Sequence, residues 1–368
     1  MKTVTITKSI IDQALAGVVS FTDQKDESAS CVFISVMNEK MAIEATNYSE
    51  SIRSKFIPCK GEDVDRSAID GKRLLQVIKA MASDEITLTF GSDELIVKQG
   101  RTRFKIRIMT TNSIKEISFP KGDEISLNGE VLMGMERIVH AIDANNPNHN
   151  FCGLQMELLK KTVVLVGTDS KRLAAVKYPL EYTCEDKSFL LPKRSVLSMV
   201  KLFGGNNITA FADDVNFTIV TDSLSYSTRT INGQFPDWQK IMKANRPSIA
   251  HSIVIDTTSL AALAIQAGII NEEAEIIIKN GELTMNAENA KSQQSMEAGF
   301  AVGYEANDEI SFGVNIRFLV DYINAANTDT LTLKYISTTS PFFLESNSFI
   351  EILMPIVLTQ SVSVGEAA

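Results

Sequence analysis

Three kinds of side chain in this sequence could carry chemistry, and none of them assembles into a centre. Cys31, Cys59, Cys152 and Cys184 contain no CxxC pair, so the spacing that holds zinc or a redox disulfide is missing. They are expected to be reduced core or surface thiols. His140, His149 and His251 have no metal-ligand spacing, and no acidic run has the form of an EF-hand cage. Asp213-Asp214 is a carboxylate pair without a second acidic partner nearby, which fits a turn between strands. No GxSxG elbow or P-loop is present, and Gly204-Gly205 reads as a helix-ending turn rather than a dinucleotide fingerprint. The expectation is a protein with no catalytic residue, metal or cofactor.

What recurs instead is cationic helices. In the segment from Asp70 to Phe90, Leu74, Leu75, Ile78, Met81 and Ala82 share one face at helical spacing, while Lys72, Gln76 and Lys79 lie opposite. Between Leu191 and Phe211, Arg194, Ser198 and Lys201 make a similar stripe, and between Val314 and Tyr335 only Arg317 remains, beside Asp321 and Asn324. Arg73, Arg194 and Arg317 fall in register, 121 and 123 residues apart. A solvated face explains one such helix; repetition argues for a shared surface.

The elements that position these helices also repeat. VVLVGTDSKRLA, from Val163 to Ala174, reads as two strands around a Gly-Thr-Asp-Ser turn. Weaker copies stand at Met41 to Ile52 and Leu283 to Gln294, offset by 122 and 119 residues when Thr168 is aligned with Thr46 and Ala287. Each third opens with an amphipathic helix: Ile10, Ile11, Ala14, Leu15 and Val18 after Thr7 or Ser9 as cap; Val131, Leu132, Met135, Ile138 and Val139 after Asn128; Leu260, Leu263, Ala264 and Ala267 after Asp256 and Thr257. The unit is helix, strands, helix, strands. A period this long makes each copy a domain rather than a solenoid turn.

Proline and charge place the boundaries: Phe119-Pro120-Lys121-Gly122 closes the first unit, and Phe235-Pro236-Asp237-Trp238 through Arg246-Pro247-Ser248 closes the second. The expected domains are 1–121, 122–248 and 249–358, with 359–368 a disordered tail. The first carries 18 Lys+Arg against 16 Asp+Glu, the second 14 against 14, and the third 4 against 15, for a net charge of −9. That is unlike a protein gripping DNA by a broad basic surface. The first residues lack an apolar core and cleavage site, and the longest apolar run, Leu260 to Ile270, falls short of a membrane span. The expected location is the cytoplasm.

GRTRFKI at Gly100 to Ile106, GTDSKRLA, NGQFPDWQKIM and ILMPIVL at Ile352 to Leu358, in this order and within a threefold repeat, resemble the bacterial sliding clamps, the β subunits of replicative DNA polymerase holoenzymes. The resemblance spans residues 1–358. It implies an α+β fold of three clamp domains, with two chains closing head-to-tail into a ring, helices lining the hole and antiparallel sheets outside. It implies a non-catalytic processivity factor that encircles duplex DNA without sequence preference, associated with the nucleoid. Its partners would be the replicative polymerase subunit, the clamp loader, and other polymerases and repair proteins carrying short linear motifs.

Carried over residue by residue, the motif pocket falls on Phe151, Thr168, Ser170, Lys171, Arg172, Leu173, Pro236, Lys240, Ile241, Thr339, Pro341, Ile352, Met354, Pro355 and Ile356. Leu173, Ile241, Ile352 and Met354 would make its apolar cavity, and Thr168 and Arg172 its polar anchors. The DNA-facing cations are expected at Lys72, Arg73, Lys79, Arg137, Lys193, Arg194 and Lys201. Ring closure is expected between Phe104 and Ile106 on one side and Ile269 and Ile270 on the other. The sequence departs from the family at Ser170-Lys171, where Gly-His is common, at Lys240, where Arg is frequent, and at Val357, where a basic residue is usual. The rival readings are a hydrolase of repeated α+β units and a structural dimer that does not bind DNA.

Overall fold

Alternating burial dictates the strands and threefold-fourfold burial the helices. In Glu85–Phe90, Ile86, Leu88 and Phe90 turn inward, while on the helix Lys8–Val19 it is Ile11, Leu15 and Val18 that are buried. The computed structural model describes residues 1–368 except Ser83, 111–113, Lys115, 246–248, Ala250, 305–308 and 358–368. The tail at 359–368 and the Arg246-Pro247-Ser248 boundary lie outside the described residues.

Seven α-helices occur among the described residues: α1 Lys8–Val19, α2 Gly71–Ala80, α3 Gly129–Ile138, α4 Lys193–Phe203, α5 Trp238–Asn245, α6 Thr257–Ile270 and α7 Ile316–Ala326. They pack in the pairs α1 with α2, α3 with α4, and α6 with α7, so the helix, strands, helix, strands pattern is realised three times. Asp256 caps α6 by accepting from the Ser259 N–H, and Asp70 caps α2 by accepting from the Arg73 N–H. Thr7 holds the cap position of α1, but its hydroxyl makes no cap bond. The segment expected only to close the second repeat is instead helical: α5 starts where Asp237 Oδ1 accepts from the Lys240 N–H at 3.0 Å.

The chain forms two compact units. One comprises Met1–Asn128 with Asn207–Thr230. It holds α1, α2 and a fourteen-stranded antiparallel sheet running from Asp123–Leu127 through Glu50–Ser54, Lys40–Thr46 and Thr102–Met109 to Lys60–Gly61. The other comprises Gly129–Asn206 with Ile231–Ala368. It holds α3 to α7, an eight-stranded sheet in which Gly153–Leu159, Thr162–Thr168, Arg172–Pro179 and Phe349–Leu353 are successive neighbours, and a four-stranded sheet edged by Gln294–Ala301. In this second unit α3 lies close on the central hairpin. A Cβ on Gly134 would collide with the Tyr178 ring, and one on Gly167 would meet Ile138 at 2.6 Å. No helix of the described chain is long and apolar enough to cross a membrane. The four cysteines are free thiols, with burial pushing Cys31 up to about 11.

Candidate functional site

The central hairpin turns through Asp169, Ser170 and Lys171. Thr168 Oγ1 donates to the Arg172 carbonyl at 2.6 Å and accepts from the Ser170 N–H at 3.2 Å; Asp169 Oδ1 accepts from the Lys171 and Arg172 N–H groups. Ser170 takes φ +76°. The first repeat builds the same turn from different residues. Thr46 Oγ1 donates to Glu50, Asn47 Oδ1 accepts from Ser49 and Glu50, and Tyr48 takes φ +69°. A short acceptor side chain beside a left-handed residue closes both loops without glycine.

Arg172 sits beneath this turn rather than on it. Its residue is 5% exposed, and every arm of the guanidinium is engaged. Nε donates to Asp169 Oδ2 at 3.0 Å, Nη1 to Asp321 Oδ2 at 2.8 Å and Nη2 to the His140 carbonyl at 2.6 Å, while the plane stacks on Phe318. Glu351, wholly buried, is bonded to His140 Nε2 at 2.7 Å and places Oε1 3.9 Å from Arg172. Arg172 and Thr168, expected from the sequence to be the polar anchors of the pocket, are both buried with their polar atoms bonded within the chain. Asp169 of its own turn and Asp321 of the third repeat claim the cation, and the turn claims the hydroxyl. The first repeat puts a buried Glu50 at the matching position, accepting from the Tyr226 hydroxyl at 2.8 Å, so that hairpin is also a joint.

Strand alternation sends the next residues the other way. Leu173 pairs with Ile352 across the sheet, and both join a cluster with Val164, Val166, Ala175, Met242 and Phe343, flanked by Phe235 and Trp238. Thus α5 lies over the sheet face that Leu173 and Ile352 share. Met354 is 49% exposed and Ile241 40%, and the Met354 N–H bonds to the Lys171 carbonyl at 3.0 Å. Ser170, Lys171 and Lys240 are exposed, and Pro236 and Pro341 are half-buried. Thr339, Pro355 and Ile356 line a wider polar cleft with Phe312 and Gly313. Phe151 stands half-buried in the short turn before Gly153–Leu159. The result is an apolar floor with adaptable exposed walls, suited to an extended peptide.

The expected DNA-facing cations divide into two groups. Lys72, Arg73, Lys79, Arg194 and Lys201 are exposed on α2 and α4. Lys193 is not presented in this way. Its Nζ donates to the Ile142 carbonyl at 2.6 Å, and burial, then the charge of Arg172, holds its pKa below the ordinary lysine value. Arg137 is half-buried and donates to the Ala326 carbonyl at 3.2 Å. Among the interface candidates, Phe104 is partly exposed and Ile269 is 77% exposed, with Ile270 intermediate. Ile106 is 4% exposed and already belongs to the core of its own chain, so it cannot offer contact area.

Two backbone edges were not read from the sequence. The stretch Thr102–Arg107 pairs with Glu94–Gln99 on one side only, and Gln294–Ala301 is an end strand. Alternating exposure could have hinted at the second; which side of a strand lacks a partner has no local signal.

Residues 128–237 match the family profile of the DNA polymerase III beta subunit central domain, and 248–356 match that of its C-terminal domain, together more than half of the chain. The beta sliding clamp of Helicobacter pylori is 26% identical over 361 residues, covering 94% of each chain; that of Haemophilus influenzae is 22% identical over 303 residues, covering 80% of this chain and 81% of the relative. Among solved structures, the Helicobacter pylori beta clamp bound to a DNA ligase peptide superposes with TM-score 0.87 at 23% identity, over 96% of this chain and all of that one. The Pseudomonas aeruginosa DNA polymerase III subunit beta gives 0.89 at 17%, with the same coverage. The thrice-built helix pair and the order of the motifs agree with these matches, and the chain belongs to the bacterial DNA polymerase III β subunit, or β sliding clamp, family.

Proposed function

We propose that this protein is a non-catalytic processivity factor, a ring of two chains that encircles duplex DNA and tethers polymerases, the clamp loader and repair proteins. The observation that carries the reading is the helix pair backed by antiparallel sheet, recurring three times in one chain, with exposed cations in register on α2 and α4 in a molecule of net charge −9. Closed topology needs no tight grip. Weak contacts from Lys72, Arg73, Lys79, Arg194 and Lys201 suffice to keep the duplex centred, and acidity elsewhere limits sticking. The domains of this reading are 1–121, 122–248 and 249–358, and the place of work is the nucleoid in the cytoplasm.

Ring closure is drawn head-to-tail. The open edge Thr102–Arg107 carries Arg103, Lys105 and Arg107 beside Phe104; the end strand Gln294–Ala301 carries Glu297, and α6 exposes Ile265 and Ile269. Opposite charge, exposed apolar groups and two edges in need of partners support this pairing of faces.

Partners would bind over Leu173, Ile352, Ile241 and Met354; that a clamp can hold a partner peptide is supported by the Helicobacter pylori beta clamp solved bound to a DNA ligase peptide. Burial of two apolar ligand side chains is worth roughly 3 to 6 kcal/mol gross, less the cost of ordering the peptide. Affinities for single motifs around micromolar or weaker follow, which lets partners exchange. The test is primer extension on a long circular template with the replicative polymerase and clamp loader. Adding this chain should lengthen the products made per binding event; unchanged lengths would remove the reading.

A further inference from the structure

The sheet face that carries Leu173 holds a second cavity further along the same strands. It is a half-open pocket of about 450 Å³ walled by Leu159, Val164, Ala175, Trp238, Met242 and Ile350, with Lys177 and Lys243 also lining it. Ala175 and Lys177 are two and four residues past Leu173, and Ile350 is two before Ile352, so alternation keeps them on one face. Trp238 and Met242, one helical turn apart on α5, form its helical side. The indole is held by its N–H bond to Glu157 Oε1 at 2.9 Å. Ala175, the smallest wall residue, leaves the space open.

We propose that this cavity is a second docking site, for a partner segment in which an apolar side chain is followed within two residues by a carboxylate. Its volume lies within the roughly 300–1,000 Å³ of small-ligand pockets, and its apolar wall suits one aromatic or branched side chain. Lys177 and Lys243 are exposed, and neither makes an ion pair among the described residues. Their charge complements the carboxylate, which would also be guided to this spot on an otherwise acidic chain. Leu173, Ile352 and Met354 do not line this cavity, although Val164, Ala175, Trp238 and Met242 also pack in the cluster that Leu173 and Ile352 join; the proposal does not rest on the function assigned to that groove. A partner occupying both would gain from effective concentration.

Trp238 is the only tryptophan of the chain, which makes its emission a direct reporter. The full-length protein would be titrated with a capped hexapeptide bearing one phenylalanine followed by two glutamates, and separately with phenylacetate. The expected result is a saturable change in emission with the peptide, weakened at least tenfold by Lys177→Glu with Lys243→Glu and altered less than twofold by Leu173→Ala. If the double reversal fails to fold, Lys177→Gln with Lys243→Gln should still weaken binding severalfold. No saturable change, indifference to the lysines, or loss in Leu173→Ala would overturn the proposal. So would phenylacetate binding as tightly as the peptide, since that marks a small-acid site rather than a docking site.

Discussion

Replacing Arg172 by Met removes a buried charge while keeping most of its volume, and the consequence can be sized from its surroundings. The guanidinium faces Asp169 and Asp321, whose side chains are 15% and 26% exposed, and Glu351, at 0%. Breaking a buried ion pair from one side costs about 3–5 kcal/mol. The lower end applies because Asp169 and Asp321 keep some water and can be solvated after the change. At roughly 2–4 °C per kcal/mol for a unit of about 200 residues, a loss near 3 kcal/mol lowers the melting temperature by about 6–12 °C. Trp238, within the same compact unit, follows this transition by fluorescence. Lys171→Ala, one residue away but exposed, should stay within about 0.5 kcal/mol. Adding Asp321→Asn to Arg172→Met should restore part of the loss, because the two residues share one network. A shift below about 2 °C for Arg172→Met would mean that the buried network contributes little and would refute this reasoning.

Three further outcomes follow from the same geometry. Leu173→Ala should weaken a motif peptide at least tenfold, since about 2 kcal/mol of apolar contact is removed from the floor; Met354→Ala, at an exposed wall, should cost less, and both should leave the assembly state unchanged in sedimentation. Ile269→Ala with Ile270→Ala should shift a two-chain ring toward single chains in analytical ultracentrifugation, whereas Ile106→Ala should instead lower thermal stability, because that side chain packs within its own chain. Charge reversal at Lys72, Arg73, Arg194 and Lys201 should shorten the dwell of the protein on DNA while Lys193→Gln changes mainly stability, read by DNA retention and melting respectively.

The parts of the fold legible in sequence were those fixed locally. The helix pairs follow from apolar spacing at Leu74 and Ile78 or Val196 and Met199, and the two matching hairpins from Thr46 and Thr168 with an acceptor next in line. The fate of Arg172 was not legible, because Asp321 stands 149 residues away and no local pattern tells a solvated arginine from one locked in a buried network. Lys193 misleads for the same reason, its ammonium finding the Ile142 carbonyl. Phe104 and Ile106 alternate in step along one strand, yet only the first remains partly exposed, since the strand runs from an open edge into the core. The helix α5 was concealed by Pro236 and a short polar run, although Asp237 three residues before Lys240 is a capping signal.

The central claim is topological, and retention on DNA of different topology tests it most directly. The protein would be loaded by its clamp loader onto nicked circular DNA, passed through a sizing column in moderate salt, and the sample then split, one half being linearised by a single restriction cut. A closed ring remains with the circle and is lost from the linear form by sliding off the ends. Equal retention on both, or equal loss from both, would contradict the account.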